Sequence, residues 1–200
     1  MEIVINILLP IVSLIIALVA IFQTKKQIAL SNKQLLFDRR LEKYIIIKDL
    51  LLLFANNRER IVDKKDLARY LDFKFVLLTN VSYLSDMIFA IKEPLNSDKQ
   101  NIFLTKCEML EKYAVEISLL WDNDIGQIFS EFVKTYKEML NKLYLQQVYI
   151  NGLKKDREEQ NYIGNSPIDL DTYKKKTLKN AKDIKLFETI QNLDDIYRRI

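Results

Sequence analysis

The chain has no histidine, a single cysteine (Cys107), and only three glycines and three prolines in 200 residues. Without histidine there is no imidazole general base, no Ser-His-Asp or Cys-His nucleophile system and no His-ligated zinc. One thiol forms no internal disulfide and no Cys-only zinc site, which fits a reducing compartment and a Cys107 that serves as a small core hydrophobe. With glycine only at 126, 152 and 164, no Gly-rich phosphate loop or dinucleotide fingerprint can be written. Average usage would place roughly 14 glycines and 10 prolines in this length. Both residues break helices, so their scarcity predicts few, long helices.

Charge is missing from one stretch altogether. Ile3 to Phe22 runs for twenty positions without an ionisable side chain. At about 1.5 Å per residue this makes a helix of about 30 Å, the thickness of a bilayer's hydrocarbon core. A cleaved leader would carry a basic start and a small-x-small cleavage site. Here the only charge before the run is Glu2 and no clear cleavage site follows it. The expectation is an uncleaved anchor over residues 1–22. Asn6, Pro10 and Ser13 are the in-membrane positions that could mediate helix association or line a pore. The plainer reading is that Asn6 sits near the interface, Ser13 bonds its own backbone, and Pro10 is tolerated as in other membrane helices.

Lys25, Lys26, Lys33, Arg39, Arg40, Lys43 and Lys48 follow the span, and no Lys or Arg precedes it. Positive flanks stay inside, which predicts an outside N-terminus and a cytoplasmic remainder. Residues 23–62 read as a juxtamembrane helical stalk, with Leu30, Phe37, Tyr44 and Leu51 on one face and Leu41 and Ile47 beside them. Lys33, Arg40 and Lys43 are expected on the opposite face. Lys25, Lys26, Lys33, Arg39, Arg40 and Lys43 are the candidates to meet anionic headgroups, although a solvated basic face explains them as well.

Residues 63–200 read as a helical bundle. A break is expected from Asn56-Asn57 through Asp63, then a helix over 64–92 capped by Asp63 and buried along Leu67, Tyr70, Leu71, Phe75, Leu78, Val81, Leu84 and Ile88. A third helix is expected over 99–121, with Ile102, Phe103, Met109, Leu110, Tyr113, Ile117 and Leu120 among its apolar positions. After it, Ile125, Phe129, Phe132, Tyr136, Met139, Leu143, Gln146, Ile150 and Leu153 alternate spacings of four and three, a heptad seam with one polar interruption at Gln146. A polar loop over 156–167 precedes a last helix whose Leu186, Ile190, Leu193, Tyr197 and Ile200 repeat that spacing, with Asp194 and Asp195 on its polar side. The fold class is therefore all-α, an N-terminal transmembrane helix continuing into a cytoplasmic antiparallel helical bundle.

The remaining chemistry is sparse. Asp122-Asn123-Asp124 before Gly126 has its glycine one position early for a calcium loop and no Glu for the bidentate ligand, so it reads as a cap and turn. Asp169 and Asp171 read as helix N-terminal charges. The lysines at 174, 175, 176, 179, 182 and 185 spread around their helix among Asp183 and Glu188 and lack aromatic platforms, which argues for a solvated face and against nucleic acid. Asp122, Asp124, Glu131 and Lys134 would have to carry any carboxylate–lysine enzyme. No catalytic, cofactor or metal site and no small-molecule substrate is expected.

The segment from Ser31 to Tyr44, SNKQLLFDRRLEKY just after the span, resembles a group of uncharacterised small single-pass membrane proteins of bacteria. The stretches Leu78 to Leu84 and Leu119 to Asp122 are similar to that group too. The resemblance implies an anchor with a cytoplasmic helical domain and brings no activity with it; by analogy such proteins accompany mobile elements and phage resistance. Two functions are expected to compete. One is a membrane-tethered interaction module with a protein partner or a homo-oligomer. The other is a membrane-perturbing effector, of phage-defence or toxin type, whose anchors cluster around Asn6, Pro10 and Ser13 on assembly.

Overall fold

The computed structural model describes the backbone of residues 2–62, Leu84, Met87, 89–91, 93–94, 97–121, 124–162 and 169–200, with side chains described in these except at 2–10, 60 and 157–162. The protein is all-helical, and no strand occurs among the described residues. The helices are α1 (Glu2–Val62), α2 (Ser97–Leu120), α3 (Asp124–Tyr162), α4 (Leu170–Asp183) and α5 (Leu186–Tyr197). Helical residues also occur at Leu84, Met87 and 89–91. Most of the helix expected over 64–92, with its Asp63 cap, lies outside the described residues.

Two compact units divide the chain, Met1–Glu42 and Lys43–Ile200. In the first, every described side chain from Ile11 to Arg39 is exposed, whether apolar or charged. In the second, α1 contributes a core face made of Ile47, Leu50, Leu53, Phe54 and Ile61. Residues 43–62 therefore belong with the packed unit, and the fully exposed stalk is shorter than the expected 23–62. The expected break at Asn56-Asn57 is absent. Asn57 Nδ2 donates to the Leu53 carbonyl at 2.9 Å, so the amide bonds back along the helix instead of ending it. Of the apolar positions read along this segment, Ile47 is buried, whereas Leu41 and Tyr44 are exposed.

Helices α2 and α3 run in opposite directions. Phe103 stacks on Tyr144 with ring centroids 4.5 Å apart, and farther along α2 Glu111 meets Lys137 Nζ at 2.6 Å. At the end of that pairing a Cβ added to Gly126 would stand 2.4 Å from the Trp121 carbonyl oxygen, a close approach that glycine alone permits. Gly126→Ala must push backbone aside; a loss of about 1–3 kcal/mol is expected in thermal or urea unfolding, with Gly152→Ala, which meets nothing within 4 Å, as the tolerated control.

The α3 seam is buried from Phe132 to Leu153, with Val133, Leu140 and Tyr144 widening it. Its first residue, Ile125, is exposed, as is Ile102 at the start of α2. Beyond Leu153 the helix continues to Tyr162, through residues expected to be loop. Lys and Glu are good helix formers, so a polar stretch without Gly or Pro carries the helix on. Helices α4 and α5 both run against α3: Gln146 meets Thr177 and Asn180, Lys142 meets Lys185 and Thr189, and Glu131 meets Arg199. They were expected as one helix. They are two because Lys185 adopts φ 56° and ψ 34°, and the Ile184 and Lys185 amides close the end of α4 on the Asn180 and Lys182 carbonyls. Asp169 caps α4 as expected, accepting from the Thr172 amide at 2.7 Å, and this bond holds its carboxyl below the usual range.

Candidate functional site

The first candidate surface is α1 within Met1–Glu42. Ile11, Val12, Leu14, Ile15, Ile16, Leu18, Val19, Ile21 and Phe22 all stand exposed. An ordinary water-facing helix is apolar along one stripe, and a helix apolar all round needs an apolar surrounding. Among the described residues, this is the one helix long and apolar enough to cross a membrane; its apolar window has a mean hydropathy of 1.6 and none of it is buried. Asn6 and Pro10 lie in its helical backbone, with side chains outside those described, and Ser13 is exposed within the apolar stretch.

Of the six basic residues expected to face headgroups, Lys25, Lys26, Lys33 and Arg39 are exposed and Arg40 is half-buried. Lys43 is a correction. It is only 5 % exposed, its Nζ lies 2.8 Å from Glu116 and it stands over the Tyr113 ring at 4.0 Å. Its long aliphatic stem lets a lysine pass through apolar packing while the ammonium finds a carboxylate and a ring face. It is thus a packing residue of the second unit and does not reach headgroups.

The second candidate lies within Lys43–Ile200. Asp194 was expected on the polar side of the last helix, yet it is 0 % exposed. Arg58 of α1 grips it with both arms of its guanidinium, Nε to Oδ1 and Nη2 to Oδ2, the latter at 3.1 Å. Arg198, one turn on, donates from Nε to Oδ2 at 2.9 Å. Hydrogen bonding from Arg58, opposed by burial and assisted by the charges of Arg58 and Arg198, holds the carboxyl below its ordinary range. The signal was present in the sequence. Asp194 follows Ile190 by four and Leu193 by one, inside the apolar stripe, where a carboxylate requires a cation.

Beside this cluster is a half-open cleft of about 480 Å³ lined by Ala55, Asn56, Arg58, Glu59 and Tyr197. The Arg58 guanidinium lies 5.9 Å from the Tyr197 ring centroid, and Phe54 packs edge-on against the same ring. Asp194, kept ionised and saturated by two guanidiniums, is a poor proton acceptor. The cleft therefore offers a polar notch beside a carboxylate that is already paired. Of the carboxylate–lysine set, Glu131 pairs with Arg199 at 3.1 Å, Asp124 and Lys134 are exposed, and Asp122 is outside the described residues. Among the described residues no group of three or more Cys, Asp or Glu side chains could hold a metal ion. Cys107 is half-buried, and burial pushes its thiol up to about 11, away from the thiolate that reactivity requires.

No family model, no curated protein and no solved structure matches the chain. What the molecule offers is an all-helical fold with, among the described residues, one helix long and apolar enough to cross a membrane.

Proposed function

We propose that the protein is a membrane-tethered helical interaction module without enzymatic activity. In this reading residues 3–22 cross the bacterial inner membrane once with the N-terminus outside. Residues 43–200 form a cytoplasmic antiparallel bundle that meets a protein partner or another copy of the chain. The observation that carries it is the juxtaposition in α1 of an exposed apolar stretch, Ile11 to Phe22, with the exposed basic residues Lys25, Lys26, Lys33 and Arg39 immediately after it. Apolar surface of that extent seeks a bilayer, and the basic collar on one side sets the direction. The chemistry available supports the non-enzymatic part: no histidine, a thiol held protonated and, among the described residues, one buried carboxylate, which arginines neutralise.

A paired reporter experiment tests the orientation. Full-length protein fused at Ile200 to a fluorescent protein that matures only in the cytoplasm is expected to glow at the cell membrane. The same fusion to a phosphatase active only outside is expected to be silent. An active phosphatase fusion reverses the orientation, and fluorescence spread through the cytoplasm refutes the anchor.

A further inference from the structure

We propose that the segment just after the apolar stretch is a homodimerisation seam, on which a second copy of the chain packs in parallel through Leu30, Gln34, Phe37 and Leu41. The proposal rests on the anchor reading above, because two copies anchored in one membrane arrive in the same direction and at the same height. These four residues follow spacings of four, three and four, and at 3.6 residues per turn they fall within about 60° of one another. All four side chains are exposed, Leu30 by 57 %, Phe37 by 63 % and Leu41 by 45 %. They are distinct from the residues through which α1 enters the core of the second unit, which begin at Lys43 and Ile47.

Charge selects the occupant. In heptad terms Leu30 and Phe37 take d positions and Gln34 and Leu41 take a positions, so Lys33 is a g residue and Asp38 an e residue. They flank the seam; the expectation that Lys33 lies opposite the apolar face is corrected by this spacing. In a parallel pair a g residue faces the e residue five positions later in the partner, so Lys33 meets Asp38 of the second copy, and twofold symmetry makes the pair twice. Both side chains are exposed. An antiparallel pair would instead set Lys33 against Arg40, like against like. Gln34 at an a position adds a polar layer, which pairs with itself only when the two chains are in register. Of the other exposed apolar residues in this segment, Ile28 and Leu35 lead into Asn32, Arg39 and Glu42, and Leu36 stands between Lys33 and Arg40 on its own face, so none makes a further layer.

Cysteine crosslinking of the full-length chain in membranes tests the seam. In a Cys107→Ser background, oxidation is expected to give several-fold more covalent dimer for Leu30→Cys and Phe37→Cys than for Leu35→Cys and Arg39→Cys. Lys33→Glu or Asp38→Lys alone should lower the Phe37→Cys dimer, and the two together should restore it. Equal yields at all four positions, no dimer at any, or a double variant no better than the singles overturns the seam. So does shielding of Leu30→Cys and Phe37→Cys from a water-soluble maleimide without crosslinking, which would mean that the stripe lies against lipid. An alkaline carbonate wash of the same membranes reports separately on the anchor. A washed-off chain that keeps the crosslinking pattern refutes the anchor and keeps the seam, and a retained chain without the pattern does the reverse.

Discussion

Val12→Asp combined with Ile15→Asp is expected to release the full-length protein from carbonate-washed membranes, into the soluble fraction or into aggregates. The magnitudes decide this. Residues 3–22 hold fifteen Ile, Val, Leu and Phe side chains. At about 0.3–0.6 kcal/mol each near a helix centre, they favour insertion by roughly 5–9 kcal/mol. One aspartate at the centre opposes insertion by about 2.5–3.5 kcal/mol, so two oppose it by roughly 5–7. The substitutions also delete two favourable side chains, leaving a balance near zero. Both positions are exposed on α1, so no packing in the described structure is disturbed. Phe22→Asp, at the edge of the apolar stretch and three residues before Lys25, places its charge where water and headgroups reach it. It should leave the protein in the membrane. Retention of the double variant would show that the helix is held by something other than the bilayer.

Asp194→Ala is expected to be the most damaging single substitution among the polar residues of Lys43–Ile200. It removes a fully buried carboxylate from two arginines that converge on it from different helices. Breaking a buried ion pair costs about 3–5 kcal/mol when the survivor stays buried. Here the Arg58 side chain is 34 % exposed and can turn toward water, which puts the expected loss at roughly 2–4 kcal/mol in urea unfolding. The same group sets a pH dependence. Its folded carboxyl titrates below the unfolded value of about 3.9, so its contribution is complete above pH 4 and is lost as the pH falls through the folded value. Glu111, held down by hydrogen bonding from Lys137, acts in the same window. Melting temperatures should therefore fall steeply below about pH 4 in the natural sequence, and less steeply in Asp194→Asn. Equal acid sensitivity of the two proteins would remove Asp194 from the explanation.

Most helices were legible because their burial repeats with helical period over many turns. The α3 seam from Phe132 to Leu153 was readable residue by residue, and so were Phe103, Leu110 and Ile117 on α2. Three departures share a cause, that a polar side chain need not mean solvent or loop. Asn57 bonds its own helix, Lys43 passes through the packing to Glu116, and Asp194 lies in the core with its arginines. Each satisfies itself through a partner distant in sequence or through the backbone, which local composition does not reveal. The break at Lys185 left no trace either, since lysine seldom takes a positive φ and neither glycine nor proline marks the place. The Arg58–Asp194 cluster was missed because its halves stand 136 residues apart.

Gln146 gives the second unit something that apolar layers cannot. Its Nε2 donates to the Thr177 carbonyl at 2.9 Å, and its Oε1 accepts from Asn180 Nδ2 at 2.7 Å, with the side chain fully buried. Met139, Leu143, Ile150 and Leu153 are close enough in size to trade places if α4 slid along α3 by one turn. The amide is not interchangeable with them. A slide would strand it, at about 1–3 kcal/mol for a buried polar group left without a partner. The polar interruption in the seam is thus a detent, fixing which turn of α4 faces which turn of α3 and keeping the two helices from ratcheting past each other.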